Sequence, residues 1–488
     1  MDRLLPSLGL TTILLSGCIS LDPAYHRPAA PVPATWPTGA AYAPAKPSTT
    51  PLALIGWRDF FADPRLKAVI EQALANNRDL RIAVANVAAA RAQYAVQRSS
   101  LFPTVDAGGD AVYARTPLST LGAQSGGVVQ AGSSGPSKPY YFERLYNANV
   151  GVSSYQLDLF GRVRSLSRSA QEQYFATEEA QRAAQITLVG QVASDYLALG
   201  SARALLKVAQ DTAKSGETYL NLTQRQFQAG VASQLDVRQA QTTVEQARAD
   251  IARYTTAVAQ DRNALELVVG APVSDDLLPS DIDDQVTPLT NLPSGLSSEV
   301  LLSRPDVLEA EHNLKAQNGQ IGAARAAFFP SISLTGSGGV SSDALSQLFT
   351  GASKAWSFSP SLSLPIFTGG LNTGQLHYAK AERNIYLAQY EKAVQTAFRE
   401  VADALAQRGT IDEQLAADQA LVDAAADSLR LSDARYQRGS DSYLNVLTAQ
   451  VTLYNARQSL IAARLTRATN LVTLYQVLGG GLDRPSTP

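Results

Sequence analysis

The residue types that most often perform chemistry in proteins are sparse in this sequence. Its 488 residues include one cysteine, Cys18, and three histidines, His26, His312 and His377, which lie far apart along the chain. Isolated histidines do not indicate a metal site, and a single cysteine forms no disulfide within the chain. Gly479–Gly481 lacks the Lys-Ser or Lys-Thr partner of a phosphate-binding loop. The sequence therefore predicts no catalytic site, no metal and no cofactor.

The thiol of Cys18 is the one nucleophile whose surroundings predict a modification. Residues 4–15 form an apolar run after Arg3 that is too short to span a bilayer, and Leu15-Ser16-Gly17-Cys18 closes it. This ending resembles the lipobox of bacterial lipoproteins, which implies cleavage before Cys18 and acylation of the new N-terminal residue. Several acyl chains together make a stable membrane anchor. The alternative is a cysteine buried in a core.

The composition favours neither a nucleic-acid-binding protein nor a helical membrane protein. Hydrophobic residues make up 45 % of the chain and charged residues 17 %, and the formal net charge is −2, so no basic field attracts nucleic acid. No other stretch has 18 consecutive apolar residues, so no membrane-spanning helix is predicted.

The two residues after Cys18 bear on which membrane the lipoprotein reaches. They are Ile19 and Ser20, and neither is the aspartate that retains such lipoproteins in the inner membrane. This favours delivery to the outer membrane.

The chain contains an internal repeat. Val231–Arg248 and Ser440–Arg457 are identical at 8 of 18 positions at an offset of 209, and Gly230 aligns with Gly439. A second match, at an offset of 227, pairs Asp79, Arg98, Phe102 and Pro103 with Asp306, Arg325, Phe329 and Pro330. The offset changes because a Gly-, Ser- and Pro-rich loop, 117–141, is longer in the first copy.

Each copy shows the same order of predicted elements. A helix, 64–101 or 305–329, begins with proline at its first position and ends at Phe-Pro. Two strands follow, then a long helix, 162–229 or 371–438, closed by a glycine, and a last helix to about 269 or 478. The predicted segments are the signal peptide 1–17, an extended lipidated segment 18–62, a first repeat 63–270, a linker 271–298, a second repeat 299–479 and a tail 480–488.

The strands alternate with a period of two. Trp356, Phe358, Leu362, Leu364 and Ile366 alternate with serines, and 148–153 and 331–335 behave likewise. Four strands cannot close a barrel, because single-chain barrels need at least eight, and lipid forbids open sheet edges. Several chains must therefore pool their strands, and three chains would supply twelve. The apolar face would then meet lipid, and the Ser/Gly face would line water.

The long helices carry apolar residues at heptad spacing, which predicts coiled-coil packing with alanine allowing close approach. The positions are Ile186, Val189, Ala193, Tyr196, Val244, Ala247, Ile251, Tyr254, Val258, Leu265, Leu453, Ala456, Leu460, Ala463 and Leu474. A soluble antiparallel helical bundle is the alternative. It would explain the helices but neither the strands nor the position of Cys18.

Several blocks of sequence resemble the outer-membrane efflux protein family, the TolC-like channels, and most closely the OprM-type lipoproteins. They are LSGC at 15–18, IGWRDFF at 55–61, NRDLR at 77–81, LDLFGR at 157–162, GAARAAFFPSISL at 322–334 and PSLSLPIFT at 360–368. The resemblance runs from Cys18 to about Gly481. It implies an α+β fold, in which a homotrimer forms a twelve-stranded outer-membrane barrel, four strands per chain, continued by an α-helical coiled-coil tunnel in the periplasm. It also implies docking to a periplasmic adaptor (a membrane fusion protein) and to an inner-membrane pump of the resistance–nodulation–division type.

The two turns between helices, 225–237 and 434–446, are the candidate functional sites. Their exposed centres, Gly230, Val231, Ala232, Gly439 and Ser440, are expected to contact the adaptor. In the family, turns of this kind form a closed entrance.

The resemblance assigns residues near these turns to a periplasmic gate. Tyr436 and Asp236 match the tyrosine and aspartate that hold neighbouring helices together, and Arg438 is a further partner. The alternatives are coiled-coil packing for Tyr436 and a favourable charge at a helix N-terminus for Asp236. The narrowest ring of the family has an apolar residue, matched by Leu444, and carboxylates, replaced here by Asn445 and Thr448. This departure favours a neutral constriction over a charged ring.

The predicted function is export of drugs or solvents. The same architecture could serve protein secretion or metal export, although one methionine in the whole chain gives no support for metal. A structural lipoprotein that spans the periplasm without conducting is a third hypothesis, from a different class.

Overall fold

The computed structural model describes residues 20–42, 55–117, 140–282 and 297–480. Cys18, the predicted signal peptide and the tail beyond residue 480 lie outside these ranges, as does most of the loop 117–141. Two compact units are present: a strand unit of residues 1–26, 91–172 and 315–385, and a helical unit of residues 27–90, 173–314 and 386–488. No helix in the described ranges combines the length and apolar character needed to cross a membrane.

The strand unit contains an antiparallel sheet with the order β1-β2-β3-β4. Its strands are β1 (Val105–Pro117), β2 (Tyr140–Leu157), β3 (Ser331–Ser342) and β4 (Lys354–Ser363). A bulge interrupts the β2–β3 register between Val152 and Tyr155. Leu364 and Ile366, expected in the last strand, lie beyond its end, since Pro365 cannot donate to a ladder.

The two faces of the sheet differ as the alternation predicted. Trp356 is 83 % exposed, and Phe358 and Leu362 are also exposed. On the other face, the hydroxyls of Ser333 and Ser361 are 2.7 Å apart. Within the described residues, no strand pairs with the outer edge of β1 or of β4. Among the described residues, the sheet thus has two open edges and an apolar face that nothing covers.

The helices are α1 (Trp57–Phe60), α2 (Pro64–Asn76), α3 (Arg78–Ser99), α4 (Arg162–Gln228), α5 (Gln234–Val269), α6 (Pro305–Ala326), α7 (Leu371–Gln437) and α8 (Tyr443–Val477). The bounds of α4, α5, α7 and α8 confirm the four helices predicted around the turns. One turn of helix, α1, occurs inside the segment expected to be extended. Most heptad positions are buried, including Val244, Leu265, Ala456 and Leu474.

The single helix predicted over 64–101 was wrong, because Asn77 divides it into α2 and α3. Asn77 has a non-helical backbone, with φ −58° and ψ 134°, and its side-chain oxygen accepts from the backbone nitrogen of Leu80 at 2.7 Å. Its side-chain nitrogen donates to the carbonyl of Val268 at 2.7 Å. Asparagine favours such capping positions, and here it also binds a free carbonyl at the end of α5. The second prediction, 305–329, extended the helix three residues too far.

Candidate functional site

Both helix–helix turns have the same backbone geometry. Gly230 and Gly439 have left-handed φ angles of 75° and 71°. One residue further on, the backbone nitrogen of Val231 donates to the carbonyl of Gln226 at 2.8 Å, and that of Ser440 donates to Arg435 at 3.0 Å. This pattern ends a helix by satisfying its last carbonyls, and glycine is preferred there because it has no Cβ. The internal repeat therefore extends to the hydrogen bonds of the turns.

The residues expected to contact an adaptor lie on the surface of the turns. Val231 is 79 % exposed, Gly230, Gly439 and Ser440 are exposed, and Ala232 is partly exposed. An apolar side chain exposed at the tip of a long helix pair is available for contact with another protein.

Asp236 caps the helix on which it lies. Its carboxylate accepts from the backbone nitrogen of Ser233 at 2.8 Å and from its hydroxyl at 2.7 Å. In return, the Ser233 hydroxyl accepts from the backbone nitrogen of Asp236 at 3.2 Å. This capping box satisfies donors that the first turn of a helix leaves free. Asp236 therefore stabilises the N-terminus of its own helix, which is the alternative that the sequence offered for this residue.

Tyr436 links the two repeats at the level of the turns. Its hydroxyl, at the end of α7, donates to the side-chain oxygen of Gln226, at the end of α4. Its ring packs against that of Tyr443, with centroids 5.6 Å apart. Burial, and to a smaller extent the negative charge of Asp236, raises the pKa of the Tyr436 hydroxyl. The hydroxyl thus remains a donor across the physiological range.

The second turn contains a carboxylate, that of Asp441, which was not among the residues predicted from the sequence. Asp441 accepts from the side-chain nitrogen of Asn445 at 2.5 Å and from the backbone nitrogen of Ser442 at 2.9 Å, and it pairs with Arg435 at 3.3 Å. At the offset of 209, Asn445 corresponds to Asp236. In the first repeat the acid is Asp236, the third residue of α5. In the second repeat the acid is instead Asp441, which directly precedes Ser442, the N-cap residue of α8. The available signal was an aspartate directly before a serine in the turn that precedes the last predicted helix.

The remaining gate candidates lie on the exposed side of the second turn. Leu444 is 51 % exposed, and Asn445 and Arg438 are exposed. The hydroxyl of Thr448 donates to the carbonyl of Leu444 at 2.9 Å. The structure therefore places Leu444, Asn445 and Thr448 together on one surface of α8. Asp441 adds a negative charge beside them, so the expectation of a constriction without carboxylates applies to positions 445 and 448 but not to the turn as a whole.

Two further tyrosines join the repeats, and neither was singled out from the sequence. Burial, and next the nearby carboxylate of Asp433 on α7, raises the pKa of the Tyr219 hydroxyl on α4. The Tyr454 hydroxyl, on α8, donates to Asp250 on α5 at 2.8 Å. Among the described residues, no group of three or more histidine, cysteine or acidic side chains is arranged to hold a metal ion.

Comparison with known proteins identifies the class to which this fold belongs, the TolC-like channels of the outer membrane. The crystal structure of the open state of the MtrE outer membrane channel of Neisseria gonorrhoeae matches with a TM-score of 0.84 and 38 % identity, over 96 % of this chain and 100 % of that one. A sequence profile described as outer membrane efflux protein matches residues 69–271 and 296–480.

Two relatives of equal similarity come from Pseudomonas putida. They are a toluene efflux pump outer membrane protein, TtgC, and an antibiotic efflux pump outer membrane protein, ArpC. Each is 47 % identical over 483 residues, which cover 99 % of this chain and 96 % of the relative. The chain belongs to the outer membrane efflux protein family. It is thus an efflux protein of the outer membrane, and its family consists of export channels rather than enzymes.

Proposed function

We propose that this chain is the exit duct of a tripartite pump that removes drugs or solvents from the cell. An inner-membrane pump of the resistance–nodulation–division type would supply the energy, and a periplasmic adaptor would join that pump to the turns. The duct itself would conduct passively and catalyse nothing. The proposal involves neither a cofactor nor nucleic acid.

The observation that carries this proposal is the four-stranded sheet with two open edges. Unpaired backbone donors and acceptors at a sheet edge are costly in lipid, so a sheet with an exposed apolar face is stable there only when it closes. Edge β4 of one chain is free to pair with edge β1 of a second copy. A homotrimer would close twelve strands, with Trp356, Phe358 and Leu362 towards lipid and the serine face towards water.

The proposed lipid anchor at Cys18 lies close in sequence to Asp22, whose side chain is fixed by contacts with the strand unit. The hydroxyl of Ser165 donates to the carboxylate of Asp22 at 2.5 Å, and Arg168 pairs with it at 3.1 Å. Asp22 follows Cys18 by four positions, so the backbone of an acylated Cys18 would lie within about 14 Å of Asp22. Incorporation of labelled palmitate into the protein, and its loss in Cys18→Ser, tests the anchor.

The names of the two relatives suggest small organic molecules as the class of exported compound. One is named for toluene and the other for antibiotics, at the same 47 % identity. Selection therefore falls to the pump, and both kinds of compound are expected cargo. The alternatives, a duct for metal ions or secreted proteins and a non-conducting structural lipoprotein, gain no support from the described residues.

The two turns form the proposed periplasmic entrance. Gly230, Val231, Ala232, Gly439 and Ser440 would contact the adaptor. Asp236, Tyr436, Arg438, Leu444, Asn445 and Thr448 would form the gate, which Gln226 and Asp441 complete. Opening would move the α7–α8 pair, over residues 420–465, away from α4 and α5. The division into repeats at 63–270 and 299–479, joined by 271–298, remains part of this proposal.

Replacement of the gate residues tests the entrance. Tyr436→Phe removes the bond to Gln226 but keeps the ring in place, and Asp236→Ala removes a cap worth about 1 kcal/mol. We expect Tyr436→Phe alone, and more so the double variant, to raise single-channel conductance in planar bilayers. An unchanged conductance of the double variant would rule out this lock.

The function as a whole is tested in two steps. The purified protein should form pores in planar bilayers, which a structural lipoprotein would not. A deletion strain should become more sensitive to both antibiotics and toluene, and the adaptor should co-purify with the tagged duct. Sensitivity to metal salts alone, with drug and solvent tolerance intact, would favour the metal-export alternative.

A further inference from the structure

A buried polar cluster joins α5 of the first repeat to α8 of the second. Asp250 on α5 is only 4 % exposed, and Tyr454 on α8 is 8 % exposed. The Tyr454 hydroxyl donates to one carboxylate oxygen of Asp250 at 2.8 Å. Heptad positions next to both residues, such as Ala247 and Leu453, are apolar and buried. The pair is therefore a buried polar contact between α5 and α8, next to apolar heptad positions.

Other groups on α5 neutralise and orient the Asp250 carboxylate. The Gln246 side chain donates to the same oxygen as Tyr454 at 3.2 Å, and Arg253 pairs with the second oxygen at 2.8 Å. Arg253 is itself held by Tyr254, since it donates to the tyrosine hydroxyl at 2.9 Å and lies 4.7 Å from the ring centroid. We call these five residues the Asp250 cluster. The Asp250 carboxylate is buried, and bonds to an ionised, buried group are stronger than bonds between neutral, solvated groups.

The cluster lies well away from the turns. Tyr454 follows Tyr443, the first residue of α8, by eleven residues, which is about 16 Å of α-helix at a rise of 1.5 Å per residue. Ala240, Tyr443 and Val446 form an apolar cluster between these two levels. At the turn itself, the link between the repeats is the Tyr436–Gln226 bond, which joins two neutral and partly exposed side chains.

We propose that the Asp250 cluster is the pivot of the gate, an inference that rests on the proposed entrance at the turns. When the second turn moves away from the first, the weaker Tyr436–Gln226 bond breaks and the stronger Asp250–Tyr454 bond holds. Movement of the α7–α8 pair away from α4 and α5 is then a tilt about the cluster, largest at the turns. Asp250 and Tyr454 are positioning residues in this scheme, since neither contacts the cargo.

The space beside the cluster is compatible with a small rotation about it. A groove of about 210 Å³ adjoins Asp250 and Tyr454, and Thr212, Thr243, Asn455 and Gln458 line it. The two helices are therefore not packed on all sides at the level of the bond, and a tilt of α8 would not at once meet a filled core.

Single-channel conductance of the full-length, acylated protein tests the pivot. The set is wild type, Tyr454→Phe, Tyr436→Phe, the double variant, and Tyr196→Phe combined with Tyr436→Phe as a matched control. The Tyr196 hydroxyl also donates to a carboxylate, that of Asp63 at 3.0 Å, but it lies outside the cluster and the turns. We expect Tyr454→Phe alone to conduct like wild type, because the turn stays locked. The double variant should conduct at least twofold more than Tyr436→Phe, and the control should equal Tyr436→Phe.

Each other outcome contradicts a specific part of the scheme. Conductance of the double variant equal to that of Tyr436→Phe would show that the cluster only packs the interface. Opening by Tyr454→Phe alone would make the cluster a lock rather than a pivot. If Tyr436→Phe fails to raise conductance, the proposed entrance is wrong and the pivot falls with it. Heat-resistant trimer and melting temperature, measured on all variants, separate these effects from misfolding, and Asp250→Asn repeats the test with a nearly isosteric change.

Discussion

Gly322 shows how one residue connects the start of the chain to the strand unit. It lies on α6, and a Cβ atom there would collide with a carboxylate oxygen of Asp22 and would lie 2.9 Å from the Ser165 hydroxyl. Arg325, one turn further along, donates to the carbonyl of Leu21 at 3.0 Å. A helix of ordinary side chains would push the N-terminal segment away, so the absence of a Cβ is what permits this clamp.

Gly322→Ala should therefore be destabilising although alanine is the better helix former. Overpacking of this kind typically costs about 1–3 kcal/mol. Gly374→Ala in α7 is the matched control, because no atom lies within 4 Å of its added Cβ. That variant should be neutral or more stable by up to about 1 kcal/mol. Thermal unfolding in detergent measures both, and equal melting temperatures would show that Asp22 simply moves aside.

Equivalent positions among the proposed gate residues of the two repeats differ in charge, although the backbone conformation of the two turns is the same. Asp236 corresponds to Asn445, and Asp441 corresponds to Ala232. Each turn thus keeps one acid near the start of its following helix, where a negative charge complements the helix dipole. The acid of the second turn also pairs with Arg435, and the two turns therefore present different surfaces to a partner.

At the scale of elements, Arg304 ties three helices together in the helical unit. It precedes α6, is itself buried, and donates to the carbonyl of Val477 at the end of α8 at 2.7 Å. It also pairs with Asp306 at 2.7 Å and with Glu400 on α7 at 2.9 Å. A planar guanidinium reaches all three acceptors at once, which a lysine ammonium would not do with the same geometry.

Replacement of Arg304 should therefore loosen this junction. Arg304→Met keeps much of the volume but leaves the Val477 carbonyl and Glu400 without their donor, at a cost of about 2 kcal/mol. Arg430→Met is the control, because Arg430 forms only an exposed pair with Asp427 within α7 and should change stability by less than about 0.5 kcal/mol. Urea unfolding of the purified protein measures the difference. A loss of similar size in both variants would refute the special role of Arg304.

At the scale of the whole molecule, the sheet is the part that other copies must complete. Neighbouring residues of β4 point to opposite faces of the sheet. The same substitution at two adjacent positions therefore tests the two faces separately. Phe358 lies on the face proposed to meet lipid, and Ser359 lies on the face proposed to meet water.

Phe358→Lys should reduce assembly in the outer membrane, whereas Ser359→Lys should be tolerated. A lysine on the lipid face near mid-membrane costs about 2–4 kcal/mol for each chain, and a trimer contains that cost three times. The amount of heat-resistant trimer in outer-membrane fractions is the measurement. The reverse result, with only Ser359→Lys defective, would mean that the sheet faces are assigned the wrong way round.

Sequence alone determined the features that depend on neighbouring residues. Prolines at the start of α2 and α6, glycines after α4 and α7, and the alternation of apolar residues and serine in β4 are local signals, because φ angles and strand pleats are set within a few residues. The repeat then fixed the order of elements and directed attention to the two turns.

Only the tertiary structure decided which distant side chains meet. The break at Asn77 depends on the carbonyl of Val268, which lies 191 residues away. Tyr454 and Asp250 are 204 residues apart, and the repeat offset of 209 pairs Tyr454 with Glu245 instead. Helical periodicity states which residues face inward, but the rotation and axial shift of one long helix against another decide the partner. The contacts of the Asp250 cluster, and those of Gln226 and Asp441 at the turns, were therefore beyond the reach of the sequence.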